Sequence, residues 1–350
     1  MGGGNWTVGT YQSNTQQRAA AGKSTFDYSD QVTTGQTAAV AHELLDPTTV
    51  AGPDSPFAGK VMREVAISDE HPNPTAIAVV LDVTASNMTA ALASHAKLPQ
   101  LLGVLQRKGY VDDPQINFCA IGDAYCDRVP LQVGQFESDN RIDAQLEGIV
   151  LEGGGGGQMH ETYELAAYYL ARHTHQEPLE LYGQKGYVFF IGDEMPYPVL
   201  KRNFKDGYSA YHAAHSIESF TGDQLERDIP TSQIFAELQE KYEVFFLFQR
   251  QGQYNADEIL PEWRKYLGER ALILDDPNAV CEVIAGILAM VGGGLDVDEA
   301  IEDLRSIGTD AASLRVAGKA LATVKGGSVV KATGSLPDVT DGNAGGTTRL

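Results

Sequence analysis

The segment Thr75–Met88 reads TAIAVVLDVTASNM. It is apolar from Ala76 to Leu81 and then breaks into Asp82, Thr84, Ser86 and Asn87. A continuous β-branched and apolar run of this length predicts a strand buried on both faces, the usual state of a central parallel strand. The break sets a carboxylate and two hydroxyls on the loop at the strand's C-terminal end, the edge of an open α/β sheet where ligands bind. Hard oxygen donors at alternate positions, with no soft donor among them, suit Mg²⁺, Mn²⁺ or Ca²⁺.

Two further stretches repeat the pattern. Gln115–Ile121 predicts a second core strand and runs into Gly122, Asp123, Asp127 and Arg128. Gly186–Ile191 (GYVFFI) predicts a third and runs into Gly192-Asp193-Glu194. Val244–Phe248 and Ala271–Leu274 complete the central strands, Lys60–Ile67 predicts a half-buried edge strand, and Val129–Phe136 predicts another strand. Helical patterns lie between them. Asn87–Lys108 carries the stripe Leu98, Leu101, Leu102, Leu105 and is interrupted by Pro99. His160–His173, Thr231–Lys241, Asp257–Leu267 and Val280–Val291 follow, with a shorter helix predicted over Asn140–Ile149. Such alternation predicts a three-layer α/β fold, doubly wound on a mainly parallel sheet.

The motif Asp82-Val83-Thr84-Ala85-Ser86 resembles the D-x-[ST]-x-S signature of von Willebrand factor A (vWA) domains, where it opens the metal-ion-dependent adhesion site, MIDAS. The resemblance spans roughly residues 57–292. With AIGDAYCD, LEGGGGG and IGDE also present, the chain looks like the intracellular bacterial and phage-associated vWA proteins. It implies a six-stranded sheet with one antiparallel edge strand. It also implies a divalent cation, Mg²⁺ or else Mn²⁺ or Ca²⁺, held by Asp82, Thr84, Ser86 and Asp193, with a position left for a Glu or Asp from a protein partner. MoxR-type AAA+ ATPases are partners of similar proteins. The pattern departs from the family twice. Gly192 and Glu194 replace the threonine and glycine of the third loop. The metal-linked threonine of the glycine-rich second loop is not evident near Gly157 or Gln158, and Thr162 lies further on; Gln158, His160 and Glu161 stay unassigned as substitutes. Two carboxylates beside one cation, Asp193 and Glu194, make excess negative charge unless one is directed away.

Composition narrows the function. The formal net charge of −21 argues against nucleic acid or an anionic membrane as the main partner, since either would repel the chain. No segment approaches the ~20 apolar residues of a membrane-spanning helix. Three cysteines, Cys119, Cys126 and Cys281, without framework spacing favour a reducing compartment, so a cytoplasmic location is expected. His160, His173 and His175 lack zinc-site spacing, and Gly22-Lys23-Ser24-Thr25 imitates a P-loop without its first glycine or its strand. A haloacid-dehalogenase-like phosphatase would need D-x-D, but Thr84 stands at the second position. No G-x-S-x-G elbow or H-E-x-x-H motif is present in a suitable setting, so an interaction module is expected rather than an enzyme. A Mg²⁺-dependent phosphoryl-transfer enzyme is the weaker alternative, and a structural subunit of a phage or cellular assembly is the other.

Domain organisation is expected in three parts. Residues 1–56 read as a flexible arm with a short helix around Thr37–Leu45. Residues 57–292 form the vWA-like domain, with an aromatic insertion over 197–230 that reads equally as a lid or as a satellite cluster. Residues 293–350 read as two small helices, around Val297–Leu304 and Ala311–Val324, and a tail.

Overall fold

The computed structural model describes residues 6–24, 26–153, 159–204 and 215–324. Its centre is a six-stranded sheet. In chain order the strands are β1 (Thr75–Asp82), β2 (Pro114–Ile121), β3 (Leu131–Val133), β4 (Gly186–Gly192), β5 (Tyr242–Gln249) and β6 (Ala271–Leu274), arranged β6-β5-β4-β1-β2-β3. All pair in parallel except β3, which runs antiparallel on the outer edge of β2. The expected mainly parallel sheet with one antiparallel edge strand is therefore present.

The period of two along each strand divides the core into two layers. Ile77, Val79 and Leu81 of β1 join Phe189, Ile191, Phe245 and Leu247 on one face. Ala78 and Val80 join Val188, Phe190, Val244 and Phe246 on the other. Helices α3 (Met88–Lys97), α4 (Leu101–Lys108) and α11 (Val280–Val291) cover the first face. Helices α6 (Tyr163–Arg172), α9 (Thr231–Lys241) and α10 (Ala256–Leu267) cover the second, where Tyr163, Tyr168 and Tyr169 share the core with Ala76 and Ala78. Pro99 falls in a 3₁₀ turn, Leu98–Gln100, that separates α3 from α4, and Gly109 closes α4 in the left-handed region at φ 62°.

Several sequence expectations meet a different structure. The segment 60–67 is not an edge of the main sheet: only Arg63–Val65 is extended, paired in parallel with Thr174–Gln176 as a separate ribbon. The cause is the buried Arg63 guanidinium, which donates to the carbonyls of Gly134, Thr49 and Asp46 and so anchors the segment beside β3. The strand expected over Val129–Phe136 shortens to three residues, followed by a bridge between Glu137 and Ile116. Around Thr37–Leu45 there are turns instead of a helix, and the Leu45 carbonyl accepts from the Val133 N–H at the edge of β3.

The N-terminal segment expected to be flexible contains α1 (Val8–Ala20) and α2 (Asp27–Thr33). Trp6 is the anchor that the composition concealed. Its ring lies against Gly103 of α4, its backbone N–H reaches Ser138, and its indole N–H donates to Asp143. Beyond α11, α12 (Val297–Ser306) and α13 (Ala311–Leu321) fold back on the first face. They bury Ala300, Leu304, Ala317 and Leu321 in the same core as β1, so they complete that layer and do not hang from it. The expected tail lies outside the described residues.

Candidate functional site

Register builds the site. Leu81 of β1 pairs with Ile191 of β4, so Asp82 comes beside Gly192 and Asp193 follows immediately at the same C-terminal edge. The β1 loop then folds back on its own carboxylate. Asp82 Oδ1 accepts from the Thr84 N–H at 3.0 Å and from the Thr84 hydroxyl at 2.6 Å. The hydroxyls of Thr84 and Ser86 lie 3.2 Å apart, and Ser86 donates to Asp193 Oδ1 at 3.2 Å. Asn87 braces the turn by donating to the Asp82 carbonyl. All four sequence-predicted residues, Asp82, Thr84, Ser86 and Asp193, are thus joined in one hydrogen-bonded chain. Asp82, Thr84 and Asp193 are fully buried, Ser86 is half-buried, and Ala85 is exposed at the rim.

Further groups close around this chain. The Tyr163 hydroxyl, on the first turn of α6, donates to Asp82 Oδ2 at 2.8 Å. The Gln253 N–H donates to Asp193 Oδ2 at 2.7 Å. Glu194 is not directed away. One oxygen each from Asp82, Asp193 and Glu194 lie within 4.8 Å of one another, the only such group of His, Cys, Asp or Glu among the described residues. Glu161 is delivered nearby by a short parallel pairing of His160–Glu161 with Met195–Pro196. It is as buried as Glu194.

The electrostatics follow from crowding acids away from water. Burial, then the neighbouring Asp193 charge, pushes the Asp82 carboxyl up to about 7. Burial raises Asp193 as well, against the N–H groups that favour its anion. Glu194 is pushed up to about 8, mainly by burial and then by Asp82 and Asp193. Glu161 is raised well above the ordinary glutamate range by burial, with Asp82 and Glu194 adding to it. Such a cluster carries unfavourable charge that a cation would offset. Its donors are all hard oxygens, and Oε2 of Glu161 and Oε2 of Glu194 are buried without a hydrogen-bond partner. This donor set fits a divalent cation of the Mg²⁺, Mn²⁺ or Ca²⁺ type.

The other sequence candidates fall elsewhere. Asp123 reaches the same edge but accepts from the Tyr197 hydroxyl and the Tyr125 N–H. Thr162 precedes α6 and ties down the β2 loop, donating to the Gly122 carbonyl at 2.6 Å and accepting from the Ala124 N–H. Gly157 and Gln158 lie outside the described residues. The histidines do not converge: His160 stacks on Tyr197, His173 faces Asp223, and His175 lies against Phe57. In the insertion, Phe204 and Phe220 are buried in the second core, which favours the satellite cluster for its described part; Tyr208 and Tyr211 lie outside it. Glu161 and Tyr163 were not assigned to the site from sequence. The signal available was position: both lie shortly after the glycine-rich stretch LEGGGGG in the sequence.

No protein-family profile and no curated protein matches the chain. Among solved structures it is similar to the pilus adhesin SpaC of Lactobacillus rhamnosus GG in its open conformation, at 11% identity and TM-score 0.43, covering 69% of this chain and 31% of that one. It is also similar to proximal thread matrix protein 1 of the mussel byssus, at 10% identity and TM-score 0.38, covering 62% and 46%. A third is the vWF domain of the type V pili tip protein Mfa5 of Porphyromonas gingivalis, at 11% identity and TM-score 0.40, covering 64% and 97%. The chain thus spans less than half the length of the first two. Among the described residues no helix is long and apolar enough to cross a membrane. By its own architecture the chain is an α/β protein with a buried acidic site at the C-terminal edge of a mostly parallel sheet.

Proposed function

We propose that this chain is a metal-dependent protein-interaction module of the vWA type. The observation that carries the reading is the chain of contacts Asp82–Thr84–Ser86–Asp193, built from two separate strand ends and reaching solvent beside Ala85. A divalent cation held there supplies a Lewis-acidic position that a carboxylate from outside can fill in place of water. The chain's own residues do the rest. Thr84 fixes the direction of Asp82, Ser86 bridges the two loops, and Tyr163 and Gln253 hold the second oxygens, Oδ2, of the two aspartates. The partner in this reading is a protein presenting an accessible Glu or Asp, with a MoxR-type AAA+ ATPase as the context that the sequence resemblance suggests. The site binds without turnover. A reducing, cytoplasmic setting agrees with three free thiols, two of them buried.

The test is selection of displayed random peptides on the full chain with Mg²⁺, Mn²⁺ or Ca²⁺ present, followed by elution with chelator. Recovered peptides should share an Asp or Glu, and replacing that residue by its amide should abolish capture. Peptides that survive both chelation and amide replacement would refute the reading.

A further inference from the structure

We propose that Glu194 is a third carboxylate ligand in this site and that it makes the site a carboxylate cage favouring Ca²⁺ over Mg²⁺. The inference rests on the metal-binding reading above and deepens it. An acidic cluster alone would not suffice. The independent observation is that Glu194 is 2% exposed and that, although its carboxylate meets Ser86, Tyr254 and Glu161, its Oε2 has no hydrogen-bond partner, while a carboxylate oxygen of the same residue lies within 4.8 Å of oxygens of Asp82 and Asp193. A buried carboxylate oxygen with no donor is costly, and acids of this kind are retained where something positive meets them.

The backbone explains why Glu194 enters the site. Its carbonyl accepts from the Trp263 indole N–H at 2.8 Å, and Trp263 is itself fixed by stacking on Phe246 at 3.9 Å. The next two residues, Met195 and Pro196, pair with His160 and Glu161. That pairing brings Glu161 and its own orphaned oxygen up behind Glu194. Three carboxylates and the hydroxyls of Thr84 and Ser86 form a dense oxygen shell. Ca²⁺ accepts about six to eight oxygens in irregular, partly bidentate arrangements, whereas Mg²⁺ demands a near-octahedral shell and retains water. A buried cage of carboxylates favours the former.

The probe is Tb³⁺, a hard oxygen-seeking ion whose emission is sensitised by a nearby indole or phenol; Trp263 and Tyr163 adjoin the site through Glu194 and Asp82. The full chain, freed of metal, is titrated with Tb³⁺ and the signal is then competed with Ca²⁺ and Mg²⁺. The expected result is sensitised emission displaced by Ca²⁺ at roughly tenfold lower concentration than by Mg²⁺, or better. Glu194→Gln should weaken Ca²⁺ binding more than roughly tenfold, since even outer partners of metal ligands carry that much. Its melting temperature without metal should stay equal or rise, because the amide cannot ionise beside Asp82 and Asp193. Glu194→Asp, which keeps the charge on a shorter stem, should fall between the two. Wild-type emission insensitive to Glu194→Gln, or equal competition by both ions, would overturn this inference alone. No wild-type binding of any of the three ions would overturn the metal reading on which it rests.

Discussion

Trp6 and Gly103 offer a sharp test of how the N-terminal segment joins the fold. Trp6 is 6% exposed, and a Cβ placed on Gly103 would lie 2.5 Å from its ring carbon Cζ3. Trp6→Ala removes that ring and leaves Asp143 without the indole donor. Deleting a buried tryptophan costs about 3–5 kcal/mol. Gly103→Ala alone should destabilise by about 1–3 kcal/mol through overpacking. In the Trp6→Ala background the same change should reverse sign. The methyl then enters the vacated space, and alanine gains about 1 kcal/mol over glycine inside a helix. The assay is urea unfolding followed by far-ultraviolet circular dichroism, because Trp6 is one of only two tryptophans and its removal alters fluorescence directly. Gly103→Ala effects that agree in both backgrounds within about 0.5 kcal/mol would mean no coupling and would refute the packing.

Two further predictions concern buried polar groups. His95 is buried, donates from Nε2 to the Leu146 carbonyl at 2.6 Å in the tautomer that this contact selects, and has no partner at Nδ1. Burial, aided by the Arg18 charge, pushes it down to about 4. The unfolded chain therefore takes up this proton first. Stability is lost as pH falls from about 6.5 towards 4, by about 3 kcal/mol in total. The stability difference between wild type and His95→Gln should shrink over that window, while parallel pH profiles would contradict the assignment; acids such as Asp127, raised to about 7 by burial and then Glu152, act equally in both proteins. Arg63→Lys should cost about 2–3 kcal/mol, because one ammonium cannot replace a planar fork that serves the carbonyls of Gly134, Thr49 and Asp46. A loss under about 1 kcal/mol in chemical denaturation would show those contacts to be dispensable.

The central strands and the first-loop motif were legible because their signals are local. A continuous apolar run ending in Asp82 says strand, edge and hard donor at once, and the same grammar recurs at Asp193. Glu161 and Tyr163 were not legible, because their place depends on the two-residue pairing of His160–Glu161 with Met195–Pro196, a long-range contact without a sequence period. Glu194 is visible in the sequence, but its orientation is not. Charge counting leaves open whether one carboxylate turns away, and the Trp263 contact to its carbonyl holds its backbone at the site. The packing of the N-terminal segment escapes its composition, which is polar on average, because one residue, Trp6, carries it. Lys60–Ile67 has strand alternation, but alternation cannot say which sheet a strand joins, and the buried Arg63 decides that.

The central claim is that Asp82, Thr84, Ser86 and Asp193 hold a divalent cation. Calorimetric titration of Ca²⁺, Mn²⁺ and Mg²⁺ into chelator-treated protein, beside the Asp82→Ala variant, tests it most directly. The account predicts saturable one-to-one binding to the wild type that disappears in a variant of unchanged fold. A well-folded wild type that binds none of the three ions, or an Asp82→Ala variant that binds as tightly, would contradict it.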